Sequence, residues 1–172
     1  WGTGPDEADL KALCASLGIA DSVVFLGHVE AVRDRLADMD VFVLTSEREG
    51  NSNAILEAMA AGLPVVSTRV GGTPMQVGQE GDHFLIEPGD RAALCARLVE
   101  LIDDTAVRER VGAAMRERIR VHFDIRRVGA TYAAAYRLLA ANRRHEIAGV
   151  GNPIISPASK EGPGPGQAGK RG

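Results

Sequence analysis

Aromatic residues are scarce: one Trp, two Tyr and four Phe make up 4% of the 172 residues. That is too few for the stacking platforms that hold single-stranded nucleic acids. A basic excess is missing as well, since 23 Asp and Glu outnumber 20 Lys and Arg and leave a net charge of −3. Affinity for nucleic acid comes largely from released phosphate counterions, so no nucleic-acid partner is expected. Cysteine is reduced to Cys14 and Cys95, far apart in helical patterns and without metal-ligand spacing. They read as two small core thiols in a reducing compartment rather than a disulfide or a redox pair. No apolar run reaches the ~20 residues of a membrane-spanning helix and no signal peptide is visible, so the expected location is cytoplasmic. Methionine is missing from the first position. Trp1 leads straight into a Gly2-Thr3-Gly4-Pro5 turn, which suggests that the true start lies upstream.

What is present is an ordinary globular composition, 45% apolar, sufficient for one domain with a core. Residues 1–142 carry the patterned part. Residues 143–172, with Pro153, Pro157, Pro163 and Pro165 among many glycines, cannot bury enough apolar surface to offset their ordering entropy and are expected to be a disordered tail.

Within the patterned part, helix and strand signals alternate. Asp6 can cap a helix with Leu10, Leu13, Cys14 and Leu17 on one face, ended by Gly18. Ser22 to Gly27 (SVVFLG) reads as a strand buried on both faces. Val32, Leu36 and Met39 have helical spacing, and Val41 to Thr45 is a second apolar run. Asn51, Ser52 and Asn53 can start a helix striped by Ile55 and Met59 and stopped by Gly62 and Pro64. Strand PVVST (64–68), a Gly71-Gly72-Pro74 loop, a short segment to Val77 and a strand at 83–87 follow. Three helices close the pattern, with apolar positions at Leu94, Leu98, Leu101 and Ile102, at Val107, Val111, Met115 and Ile119, and at Val128, Tyr132, Ala135 and Leu139. Short strands separated by helices imply an α/β fold with a doubly wound parallel sheet, Rossmann-like, whose ligands bind outside the carboxyl ends of the strands. The loops Gly27-His28-Val29, Ser46 to Asn53 and Arg69 to Pro74 then share one rim.

One residue stands out on that rim. Between Gly50 and Thr68 the only ionisable side chain is Glu57, with no Lys or Arg three or four residues away to pair with it. Helical side chains lean toward the N-terminus, so Glu57, about 6 Å along the axis from Asn53, points back at the helix opening. That opening offers unpaired N–H groups and the positive end of the helix dipole, which suit a phosphate or sugar hydroxyls. A carboxylate only accepts hydrogen bonds, and its two oxygens match a ribose diol. Glu49 stands on the other side of the turn and can take hydroxyls of a second sugar. The alternatives are that Ser52 or Asn53 is an ordinary helix cap and that Glu57 is a buried acid satisfied by backbone groups.

The order GTGP, VVFLGHV, DVFVLTSEREG, NSNAILEAMAAGLPVVST, VGGTP and FLIEPGD resembles the carboxyl-terminal, donor-binding half of retaining glycosyltransferases of the GT-B fold, the group 1 type, over roughly Gly2 to Leu139. The most specific part is the pair Glu49 and Glu57 with seven residues between, followed by AMAAGLPVV. The resemblance implies that Glu57 binds the ribose hydroxyls of a nucleoside-diphosphate sugar and that Glu49, catalytic, holds the transferred sugar near the reacting centre. The backbone of Gly50, Asn51, Ser52 and Asn53 would meet the sugar and diphosphate, and Gly27-His28 would touch the base. It implies transfer to an acceptor hydroxyl on a glycan, lipid or small molecule, with no metal and no cofactor. It further implies that the first strand and an amino-terminal domain are missing from this chain, together with any peripheral membrane contact of that domain. Met75 stands where many relatives carry an acid after the Gly-Gly-x-Pro turn. A non-catalytic nucleotide-sugar-binding module and a nucleotide-sugar epimerase of the same fold are the competing readings.

Other features are expected to be structural. Asp38-Met39-Asp40 resembles a metal motif but sits where a helix meets a strand, the place for a turn. Arg108, Arg110, Arg116, Arg118, Arg120, Arg126 and Arg127, interleaved with acids, read as a solvated helical face.

Overall fold

The computed structural model describes residues 3–140. Three strands, β1 (Phe42–Leu44), β2 (Val65–Thr68) and β3 (Leu85–Ile86), form a parallel sheet in the order β1-β2-β3. Phe42 faces Val65 and Leu44 faces Ser67 across one ladder, and Ser67 faces Leu85 and Thr68 faces Ile86 across the other. All four residues of β2 are buried, as the central strand of a helix-covered parallel sheet should be. The helices are α1 (Glu7–Ser16), α2 (Val32–Leu36), α3 (Asn53–Ala61), α4 (Thr73–Gly81), α5 (Arg91–Asp103), α6 (Thr105–His122) and α7 (Ile125–Ala140).

α3 and α4 are the two crossovers, and they meet each other while α6 packs across both. The core lies between these helices and the sheet, centred on Ile55, Met59, Val65, Val66, Leu101 and Met115. α3 ends as its sequence requires. Gly62 takes the left-handed conformation (φ 89°), donating its N–H to Met59 O at 3.0 Å while Leu63 N–H reaches Ala58 O at 3.0 Å, the paired bonds of a Schellman motif. Gly112 of α6 crosses at this point, where a Cβ would lie 2.1 Å from Gly62 O. Asp90 and Asp104 cap α5 and α6, accepting from Ala93 N and Val107 N at 2.9 Å each.

Three expectations need correction. Residues 22–27 form no strand: Ala20–Ser22 is a 3-10 turn, Val23 is extended (φ −118°, ψ 120°), and Val23 to Leu26 are exposed, Val24 by 75%. A strand is buried through its ladder, and the described sheet ends at β1, so this segment has nothing to pair with. α1 forms with the expected apolar face, and Leu10, Leu13 and Leu17 on it are not covered by any element among the described residues. The thiols are not core residues, since Cys14 is half-buried and Cys95 exposed, both free. Their helical spacing identified a face but not whether anything packs on it. Nor is the arginine series uniformly solvated. Arg118, only 15% exposed in its side chain, donates to Met75 O (Nη2, 2.7 Å) and Gln76 O (Nε, 2.8 Å), and Arg108 donates to Leu101 O at 2.9 Å. Both guanidinium groups serve carbonyls left open at helix ends or kinks. The proposed tail, 143–172, lies outside the described residues.

Candidate functional site

The carboxyl ends of the strands bring two of the three expected rim loops together. Ser67 Oγ donates to Leu44 O at 2.8 Å and Thr68 Oγ1 to Ser46 O at 2.5 Å, so the hydroxyls of β2 hold the exit of β1. One step further out, Gly72 N–H donates to Gly50 O at 2.8 Å. The contact tolerates no side chain. A Cβ on Gly71 (φ 51°) would fall 1.6 Å from Glu49 O, and one on Gly72 would fall 2.5 Å from Gly50 O and 2.4 Å from Asn51 Oδ1. The glycine pair therefore presses directly on the turn that carries Glu49, Gly50 and Asn51.

That turn feeds α3. Ser52 is the residue before the helix (φ −80°, ψ 114°), yet its hydroxyl caps nothing. Its backbone is held from outside instead: Ser52 N–H donates to Gln76 Oε1 at 3.1 Å, and Gln76 Nε2 donates to Ser52 O at 3.0 Å. Among the described residues the amides of Asn53 and Ala54 have no hydrogen-bond acceptor. They are the open donors that a helix start offers to an anion.

Glu57 is exposed rather than buried in the apolar surroundings of its sequence, which removes the buried-acid alternative. Asn53, Glu57 and Ala60, spaced by four and three, form an exposed stripe of α3, while Ile55, Ala58 and Met59 face the core. Glu49 is half-buried. Neither carboxylate makes a hydrogen bond or ion pair among the described residues, although the chain has arginines nearby in sequence. Arg69, in the second loop, is occupied: its Nη1 meets Asp82 Oδ1 at 2.7 Å and its Nε lies 3.6 Å from Glu87. The hydrogen bond from Arg69 holds the Asp82 carboxyl below its ordinary range. Beside these loops the strand ends open onto a cleft of about 600 Å³ lined by Thr45, Arg48, Thr68, Ile86, Asp90 and Arg91, among others.

The third loop is not drawn in. Gly27 has φ 62° and His28 is exposed, and no hydrogen bond among the described residues connects either to 49–57. Asp40 lies 3.7 Å from Arg108, a turn contact. Among the described residues no three His, Cys, Asp or Glu side chains converge as a metal site would require, and no helix is long and apolar enough to cross a membrane. Sequence reasoning missed Gln76 and Arg118. Gln76 lies beside Val77 in a stretch whose apolar periodicity is too short to reveal a buried amide, and Arg118 is indistinguishable by spacing from its exposed neighbours.

In an open parallel α/β sheet the carboxyl rim, here with an open helix start and unpaired carboxylates, is where ligands bind. Comparison with known proteins sharpens this. Residues 1–104 match the family model described as glycosyl transferases group 1, and the chain belongs to that family. It is 35% identical over 136 residues to the N-acetyl-alpha-D-glucosaminyl L-malate synthase of Bacillus anthracis, covering 78% of this chain and 35% of that one. A sulfoquinovosyl transferase of Arabidopsis thaliana is 39% identical over 121 residues, covering 67% of this chain and 23% of the relative. Among solved structures, sucrose-phosphate synthase from Thermosynechococcus elongatus superposes with a TM-score of 0.73 at 27% identity, covering 82% of this chain and 37% of that one. The chain thus spans about a quarter to two fifths of these proteins' lengths.

Proposed function

We propose that this chain is the donor-binding half of a retaining glycosyltransferase that uses a nucleoside-diphosphate sugar. The observation that carries the reading is the start of α3: open backbone amides, flanked by Glu49 and Glu57, carboxylates without cationic partners. Those groups are complementary to a diphosphate between two sets of hydroxyls. Glu57, leaning toward the opening from the exposed stripe of α3, takes the ribose diol. Glu49 takes hydroxyls of the transferred sugar and is the catalytic carboxylate in the sense that it touches the reacting unit. The backbone at Gly50 to Asn53 receives the sugar and diphosphate, and the Gly27-His28 loop serves the base once its segment is packed.

In the reaction the anomeric carbon's bond to the diphosphate oxygen breaks and a bond to an acceptor oxygen forms with retained configuration, releasing nucleoside diphosphate and the hydroxyl proton. In this scheme the leaving diphosphate is held by the helix-start amides of α3 and no metal is invoked. A complementary domain supplies the acceptor site, for a glycan, lipid or small molecule, and any peripheral membrane contact.

The test is a thermal-shift panel of uridine, guanosine and adenosine diphosphates on folded protein. One of them is expected to raise the midpoint, by mass action on the folded state. A folded sample that responds to none of the three overturns the proposal.

A further inference from the structure

Gln76 is fully buried, and both ends of its amide are spent on a single residue, the one immediately before α3. The arrangement copies a β-ladder pair, donor to acceptor and acceptor to donor, but one strand of it is a side chain. A buried amide with both groups satisfied in this way fixes the position and the rotation of the peptide it grips. Ser52 is therefore held without any help from its own hydroxyl.

Gln76 is itself held. α4 breaks at Gly78 (φ 64°, ψ −163°), which frees the carbonyls of Met75 and Gln76 from helical bonding. Arg118, reaching over from α6, forks onto both, at 2.7 and 2.8 Å. A Cβ on Gly78 would sit 2.3 Å from the guanidinium carbon, so a side chain there would displace the fork. A rigid path thus runs from α6 through the kink of α4 to the peptide of Ser52.

We infer that Gln76 is a positioning residue for the donor: by pinning Ser52, it aims the open amides of Asn53 and Ala54 at the diphosphate. The inference rests on the nucleotide-sugar reading of the site. It assigns the aim of the helix start to a residue 24 positions along the chain from Ser52. Ligand groups that depend on the amides feel a loss of Gln76, whereas groups held by the side chain of Glu57 do not.

The test has three arms, run on the chain as it stands. First, the wild type is titrated with the nucleoside diphosphate that gives the largest thermal shift and, by NMR chemical shifts, with the matching nucleoside. If the wild type binds neither, the nucleotide reading itself fails and this inference falls with it. Second, Gln76→Met, of similar length but lacking both hydrogen-bonding ends, is titrated in the same way. The expected result is at least tenfold weaker diphosphate binding with nucleoside binding changed less than threefold. Unchanged diphosphate binding, or equal loss of both ligands, overturns the inference while leaving the nucleotide reading standing. Third, amide exchange is followed by NMR in the free wild type, which keeps the inference testable even if the variant does not fold. Ser52 N–H is expected to exchange at least tenfold more slowly than Asn53 N–H, with Asn53 slowed on adding the diphosphate. Ser52 exchanging as fast as Asn53 overturns the pin.

Discussion

Gly72 and Gly50 are joined backbone to backbone, N–H to O at 2.8 Å, and the space between their loops has no room for a methyl group. Gly72 has an unstrained backbone (φ −83°), so its identity is dictated by approach and not by conformation. Gly72→Ala is expected to push the 49–51 turn outward, lower stability by roughly 1–3 kcal/mol as other overpacked sites do, and abolish nucleotide binding. Urea titration and calorimetric binding check the two effects.

Glu57→Ala removes the acceptor of two hydroxyls from an exposed position, with no buried partner left behind. Folding stability is expected to stay within about 0.5 kcal/mol, as for other surface changes. Nucleoside diphosphate binding should weaken by one to two orders of magnitude, since a hydrogen bond to a charged group contributes roughly 1.5–3 kcal/mol. A thermal-shift series with and without ligand separates the two.

Arg118→Met leaves the carbonyls of Met75 and Gln76 without donors at the break in α4. The expected cost is roughly 1–3 kcal/mol, the penalty for buried acceptors left unmatched. Gly78→Ala displaces the same guanidinium, so the double variant should cost clearly less than the sum of the two singles. Urea denaturation of the three proteins measures this.

The Arg69–Asp82 pair makes a pH-dependent contribution. Hydrogen bonding to Arg69 lowers the Asp82 pKa below its ordinary value, so the folded state binds its proton less tightly than the unfolded state does. The contribution is therefore present above the ordinary Asp range and lost as the pH falls through the lowered folded-state value. Because Asp82 is 55% exposed, solvent screening keeps it small. Arg69→Met is expected to cost roughly half a kcal/mol at pH 7, and the difference from wild type should shrink toward pH 2. Denaturation curves at the two pH values decide it.

The stretch from Asn51 to Thr68 was the most legible part of the chain. Cap residues, an apolar stripe, Gly62 with Pro64 and a β-branched run all specify the same local structure, and helix, Schellman end and buried strand appear where the pattern puts them. That stretch leaves open whether Glu57 is buried or exposed, and its exposure comes from the structure. What spacing does not reveal is who sits opposite. SVVFLG has every local property of a buried strand, yet burial is conferred by neighbours. For the same reason Cys14 and Cys95 lie on correctly read helices yet are not the core residues their spacing suggests. Gln76 and Arg118 were illegible because their roles depend on backbone groups 24 and 42 positions away, which no periodicity encodes.

Among the described residues the edge of β1 is bare and the run Val23 to Leu26 is uncovered, which has a consequence at the bench. Half-exposed Val43 and 75% exposed Val24 present β-branched side chains beside backbone groups with no ladder, a template for another copy of the same segment. These residues are a site at which copies of the chain can pair. Sedimentation velocity is expected to show association that grows with protein concentration, and Val24→Lys, which places a charge in the middle of the run, is expected to suppress it.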